Sequence, residues 1–170
     1  RYSTIENWSK NMYNLNTKRA IVEKNGTIEW ISGSFGSKVS MLYPMSILKG
    51  EGARSDYTGI TFAGEDQVLD TVTKVVHAAP YTTSNINAKS ISKSGGAHHV
   101  KSSISCESLM LDSDSRSDTI QVLDINNDEV DIGHEAKIGR ISDEVIFYLT
   151  SRGISEEEAR AMIVRGFAEP

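Results

Sequence analysis

Up to about position 140 the chain shows no 3.6-residue hydrophobic period. It is a succession of short extended runs broken by Gly, Asn, Ser and Asp. The runs cover 2–8, 27–32, 38–43, 46–49, 57–63, 70–77, 85–92, 104–111, 119–125 and 129–134. Turn signals separate them at Asn25-Gly26, Ser32-Gly33, Gly50-Glu51-Gly52, Gly64-Glu65-Asp66, Gly95-Gly96 and Asn126-Asn127-Asp128. Some runs alternate cleanly, so Ile60 and Phe62 share one face and Val130 and Ile132 another. About ten such strands mean a mainly β protein: a sandwich, a barrel or a β-helix. Asn25-Gly26 and Asn127-Asp128 suit hairpins and so favour antiparallel pairing. The Ser/Thr-rich runs suit a solenoid with side chains stacked in register. Pattern alone leaves these folds open.

The last thirty residues change character. Ser142-Asp143-Glu144 offers an N-cap followed by acids, and Val145, Ile146, Tyr148 and Leu149 form a helical stripe that stops at Arg152-Gly153. Ser155-Glu156-Glu157-Glu158 is a capping box, and Ala159, Met162 and Ile163 give the apolar face of a second helix expected to end at Gly166. Helices are therefore predicted near 143–151 and 156–165. The chain starts inside an extended pattern and stops just past a helix, which reads as a fragment of a longer protein.

Charge and composition exclude several functions. A net charge of −5 argues against a nucleic-acid partner, which calls for a basic field. No run approaches the ~18 apolar residues of a membrane helix. The one cysteine, Cys106, makes no internal disulfide, fits a reducing compartment, and cannot by itself complete a four-cysteine metal site. Gly50-Glu51-Gly52-Ala53 lacks the Gly-Lys-Ser/Thr ending of a phosphate loop. Asp112, Asp114 and Asp118 lack the Gly and terminal Glu of a calcium loop and read as a solvated turn, and His77 reads as a strand residue with a satisfied ring. On residues alone, Cys106 is a small buried hydrophobe, and His134-Glu135 is a strand end with a bonded imidazole and a solvated acid.

Several stretches together resemble SufB-type members of the SufB/SufD family, the iron–sulfur cluster assembly proteins of the SUF system. They are Tyr2-Ser3-Thr4-Ile5-Glu6-Asn7-Trp8, Tyr13-Asn14-Leu15-Asn16-Thr17-Lys18-Arg19-Ala20, Gly36-Ser37-Lys38-Val39, Tyr43-Pro44, Leu48-Lys49-Gly50, Ser90-Ile91-Ser92-Lys93, His134-Glu135-Ala136, and the run from Ser151-Arg152-Gly153 through Met162-Ile163-Val164. The resemblance implies a right-handed parallel β-helix over 1–138, followed over 139–170 by a helical segment that docks the SufC ATPase, with Met162 and Ile163 on the docking face. It also implies a partner that is SufD or a second SufB copy, a transient iron–sulfur cluster, a cytoplasmic location, and no enzymatic activity in this chain. ATP hydrolysis would fall to SufC. With a β-helix implied, Ile60, Phe62, Val130 and Ile132 are expected to point inward.

The family resemblance also assigns roles to residues. Cys106 falls where SufB has a cysteine implicated in cluster assembly. His134 and Glu135 fall in a Glu-His-Glu motif of the cluster site, whose first acid is Gly133 here. Imidazole and carboxylate are both competent iron ligands. Strand parity sets His134 with Val130 and Ile132 but Glu135 with Asp131, so if one of them is the ligand, Glu135 is the choice. Cys106 and Glu135 are expected on adjacent coils, within reach of each other and near the partner. Glu6, Trp8 and Lys18 match positions that the family relates to sulfur passage through the β-helix; ordinary inward packing is the plainer reading. Between Ser92 and Cys106 the family carries about a dozen more residues, and of a true deletion or residues missing from the sequence, the second is favoured. Two other readings stand beside this one. A SufD-type partner would share the fold in an architectural role, and a β-helix polysaccharide lyase or hydrolase would need clustered carboxylates or Arg/Lys bases in a cleft, which the scattered acids here do not supply.

Overall fold

The computed structural model describes residues 1–101, 105–120, 131, 133 and 135–169. The chain begins with β1 (Tyr2–Trp8), β2 (Tyr13–Val22), β3 (Thr27–Gly36), β4 (Val39–Leu48), β5 (Arg54–Ala63) and β6 (Val68–Val72). It continues with β7 (Lys74–His77), β8 (Thr83–Ser92), β9 (Ala97–Lys101), β10 (Ser105–Met110), β11 (Arg116–Ile120) and β12 (Glu135–Arg140). Successive strands alternate between two sheets, except that β6 and β7 lie in the same one. One runs β1-β3-β5-β8-β10-β12; the other runs β11-β9-β6-β4-β2, with β7 also on β4. Every pairing among the described strands is parallel. The result is a β-solenoid of about four turns. Asn25-Gly26 therefore closes no hairpin. It turns the chain from β2 in one sheet to β3 in the other, with Asn25 at φ 56°, a left-handed conformation that Asn tolerates.

The inward faces explain why an alternation of large apolar residues pointed the wrong way. In β5 the buried residues are Ser55, Tyr57, Gly59, Thr61 and Ala63. Ile60 and Phe62 have the opposite parity and face outward, contrary to expectation; Val130 and Ile132 lie outside the described residues. The interior formed by the two sheets holds large groups such as Trp30, Tyr57 and Ile86 beside many serines and threonines, several of which bond one another. Trp30 Nε1 donates to Ser46 Oγ at 2.9 Å, and Ser55 Oγ donates to the same oxygen at 2.9 Å. Ser90 and Ser108 share a bond of 2.7 Å, and Ser117 donates to Ser108 at 2.8 Å. Outside, Phe35, Phe62, Ile91 and Leu109 stack in register. Although outward by parity, Ile91 is 3% and Leu109 9% exposed.

Pro44 sits within β4, where it has no N–H to give. The neighbouring ladder breaks at that level: β4 pairs with β6 up to Leu42 and with β7 from Met45. The sequence reading split 38–49 at this proline, whereas the structure keeps one strand. β2 went unread as a strand because its inward residues Asn14, Asn16 and Lys18 are polar and give no apolar alternation.

Coil length is regular except once. Tyr2 pairs with Trp30, 28 positions on; Thr27 with Arg54, 27 on; Arg54 with Thr83, 29 on; and Ser105 with Glu135, 30 on. Asn87, however, pairs with Ser105, only 18 on. Register locates the shortfall. Val72 to Asn87 spans 15 positions, whereas their partners Lys101 and Ser105 are 4 apart. The gap expected between Ser92 and Cys106 thus falls between Lys101 and Ser105.

The solenoid is followed by α1 (Asp143–Thr150) and α2 (Glu156–Ala168). Ser142 caps α1 by accepting from the Glu144 amide, and the Ser155/Glu158 capping box is formed on both sides. Gly153 adopts φ +87° just after α1, the left-handed stop that glycine permits. Gly166 does not end α2, which runs to Ala168, because the helix interior tolerates one glycine when the flanking residues propagate it. At its far end the helix reaches the outer face of the solenoid. Lys89 Nζ donates to the Glu169 carbonyl and lies 5.8 Å from the Phe167 ring centroid.

Candidate functional site

Cys106 lies on the inward face of β10. It is 1% exposed, packs with Ala88, and stands in register between Ala88 and Ala136. Glu135 opens β12, the strand beside β10, in register with Ser105. The two residues thus occupy adjacent coils. Alternation turns them to opposite faces, with Ala136 rather than Glu135 beside the thiol. Glu135 is exposed and accepts from Lys137 Nζ at 2.7 Å; that hydrogen bond and the ammonium charge hold its carboxyl below the usual range. His134 lies outside the described residues. Among the described residues no three His, Cys, Asp or Glu side chains gather as a metal site. What this chain offers a cluster is one thiol, one carboxylate on the neighbouring strand, and the imidazole next to it in sequence. These are iron-competent donors, but too few to fill a cluster's coordination without groups from elsewhere.

A second polar group lies at β1 and β2, the first coil described. The Glu6 carboxylate is buried and accepts from Asn14 Nδ2 at 2.6 Å, Asn16 Nδ2 at 3.1 Å and Lys18 Nζ at 3.1 Å. Lys18 also donates to Thr4 Oγ1 at 3.1 Å and lies 5.6 Å from the Tyr2 ring centroid. Lys18 borders a small cavity shared with Thr4, Trp30, Tyr43 and Tyr57. Tyr57 is deeply buried. Burial pushes its phenol up, while bonds with Ser32 and Thr73 oppose the shift. Glu6 and Lys18, grouped in the sequence, therefore meet. Trp8 is 46% exposed and is not bonded to either. Asn14 and Asn16 were missed, although their period-two spacing with Lys18 is legible in Asn14-Leu15-Asn16-Thr17-Lys18. Replacing Lys18 by Met strands the Glu6 charge in the interior. Urea unfolding is expected to show a loss of about 3 kcal/mol, with part of it recovered by adding Glu6→Gln. An unchanged midpoint in the single variant would mean the pair is solvated.

The remaining polar motifs have structural roles. His77 bonds Thr82 Oγ1 at 2.8 Å and Ser84 Oγ at 2.9 Å; burial lowers its pKa, against a Thr82 bond that raises it. Burial of Asp112 opposes ionisation, but its carboxyl is held below the usual range by bonds from the Ser94, Ser115 and Asp114 amides and the Ser115 hydroxyl. It ties the β8–β9 turn to the β10–β11 turn and needs no cation.

A parallel solenoid with a hydroxyl-lined interior, a lone inward thiol near its last coil and a capped helix pair defines a non-globular coil protein with a polar core. Comparison supplies the family. Residues 1–167 match the family model for the SUF system FeS cluster assembly, SufBD core domain. A relative from Staphylococcus aureus strain USA300, an iron-sulfur cluster assembly SufBD family protein, is 49% identical over 183 residues, covering 100% of this chain and 39% of its own length. Another of that description from Mycobacterium tuberculosis strain H37Rv is 49% identical over 183 residues, covering 100% of this chain and 22% of its own. The chain belongs to the SufBD family of iron–sulfur cluster assembly proteins. The matched stretch of 183 residues exceeds the 170 of this chain, in keeping with the short coil. No helix among the described residues is long and apolar enough to cross a membrane.

Proposed function

We propose that the chain is part of a SufB-type scaffold on which iron–sulfur clusters are built at an interface with SufD or a second SufB copy, then passed to apo-proteins in the cytoplasm. The observation that carries this reading is the placement of the only thiol, Cys106, one strand away from the acid Glu135. A scaffold must hold its cargo firmly enough to form it and loosely enough to release it. One thiolate with harder carboxylate and imidazole donors meets that need, because such donors bind soft iron–sulfide centres less well than thiolates do. Missing ligands come from the partner. Hydrolysis of ATP belongs to SufC, docked on α1 and α2, since the sequence has no Walker motif. The inward Glu6–Lys18 group, with Trp8 near it in sequence, stands where sulfur would pass along the tube.

The test is anaerobic co-purification of the full-length protein with its native partners, followed by iron, sulfide and subunit analysis. Iron and sulfide bound in a complex containing SufC are expected. A complex that assembles without either would favour the second reading, an architectural SufD-type subunit. The near-complete burial of Cys106 and its turn away from Glu135 are the features that favour that alternative.

A further inference from the structure

The helix pair is thinly packed. α1 and α2 span 8 and 13 residues, yet only Ile146 and Ala159 among them are buried. Burial so slight leaves the position of the pair to a few specific contacts. Two of these converge on Lys89, on the outer face of β8. Its Nζ donates to the carbonyl of Glu169, the C-cap residue of α2, and lies 5.8 Å from the centroid of the Phe167 ring. Both contacts suit a cation. The last carbonyls of a helix lack partners within it and form its negative end, and the face of an aromatic ring attracts an ammonium. Register sets a second acceptor beside Lys89. Glu107 occupies the same outward level on β10, the next strand and so about 4.8 Å away. Opposite charges at one level on neighbouring strands attract.

We propose that Lys89 is a latch with two positions. Closed, as in the structure, it holds the end of α2 on the outer face of the solenoid. Open, it turns to Glu107 and releases the helix pair, which stays tied through residues 141–142 between β12 and α1. One ammonium serves both acceptors, so each position weakens the other, and the balance shifts with whatever strengthens either side.

The latch is built wholly from this chain, so its test needs no partner: amide hydrogen exchange in the full-length protein. Lys89→Met keeps the apolar stem and removes the charge. It should speed exchange in α1 and α2 by about tenfold, the combined loss of a helix-end cation and a cation–ring contact, while β5 exchanges as before. Lys89→Arg should restore slow exchange. Glu107→Gln removes the competing acceptor and should slow exchange in the helices below wild type. If Lys89→Met also loosens β5, Phe167→Leu decides, because it leaves the solenoid untouched and should speed exchange in the helices alone. Helix exchange unchanged in Lys89→Met, unchanged in Phe167→Leu where that variant decides, or not slowed by Glu107→Gln would overturn the proposal.

Discussion

Anaerobic assembly with Cys106→Ala in the full-length complex is expected to lose cluster yield at least about tenfold, the loss typical of removing a group on which metal binding depends. Glu135→Ala should lose yield too. The two substitutions differ in their structural cost. Cys106 is buried between Ala88 and Ala136, so alanine there leaves only a sulfur-sized gap lined by small side chains. Glu135 is exposed, and its ion pair with Lys137 contributes little to stability in water. Subunit stoichiometry should therefore survive both changes, which separates lost chemistry from lost folding. Cys106 faces inward and Glu135 outward, so the proposed use of both by one cluster calls for rearrangement at the β12 edge, where all six residues are exposed. Normal cluster yield in both variants would show that the site lies elsewhere.

Changing Met162 and Ile163 together to Asp is expected to abolish SufC retention in co-purification. The helix pair is joined to the solenoid at Lys89 and presents Val145, Phe147, Tyr148 and Met162 as exposed apolar groups. Apolar helix faces of this kind serve as docking surfaces for a partner. Met162 is 51% exposed, so Asp there opposes docking with little effect on the fold, whereas Ile163 is half-buried and carries some folding cost. The single Met162→Asp variant keeps the experiment decisive: it should weaken retention while circular dichroism shows an intact β core. Undiminished SufC in both variants would place the docking face elsewhere.

The caps of α1 and α2 were legible because the signal is local: a Ser, acids within one turn and a stop, all within a few residues. Strand existence was mostly legible for the same reason. The direction of the faces was not. Ile60 and Phe62 obey the alternation of a half-buried strand, but which half is buried depends on the opposing sheet, and here it is the half of Ser55, Tyr57 and Thr61. Parallel pairing was hidden as well, since each strand's partner lies nearly thirty residues away and no local turn encodes it. At the site, the adjacency of Cys106 and Glu135 was foreseeable from their spacing as one circuit. Their opposed faces were not, because parity between separate coils depends on the length of the arc joining them. The bonded group around Glu6 was half read. Lys18 entered through resemblance, and Asn14 and Asn16 emerged only once β2 faced β1 across the tube.

The unequal lengths of the coils bear on the protein as a measuring device. In a stacked solenoid the advance along the axis is fixed by the spacing between hydrogen-bonded strands, not by how much chain encircles it. Coils of 27, 28, 29 and 30 positions therefore add the same height. From β1 to β12 there are five such steps, about 24 Å at ~4.8 Å each. The Glu6–Lys18 group and Glu135 are consequently held at a constant separation whatever the length of the coils between them. Unequal coils can differ in girth while leaving the distance between these two groups unchanged.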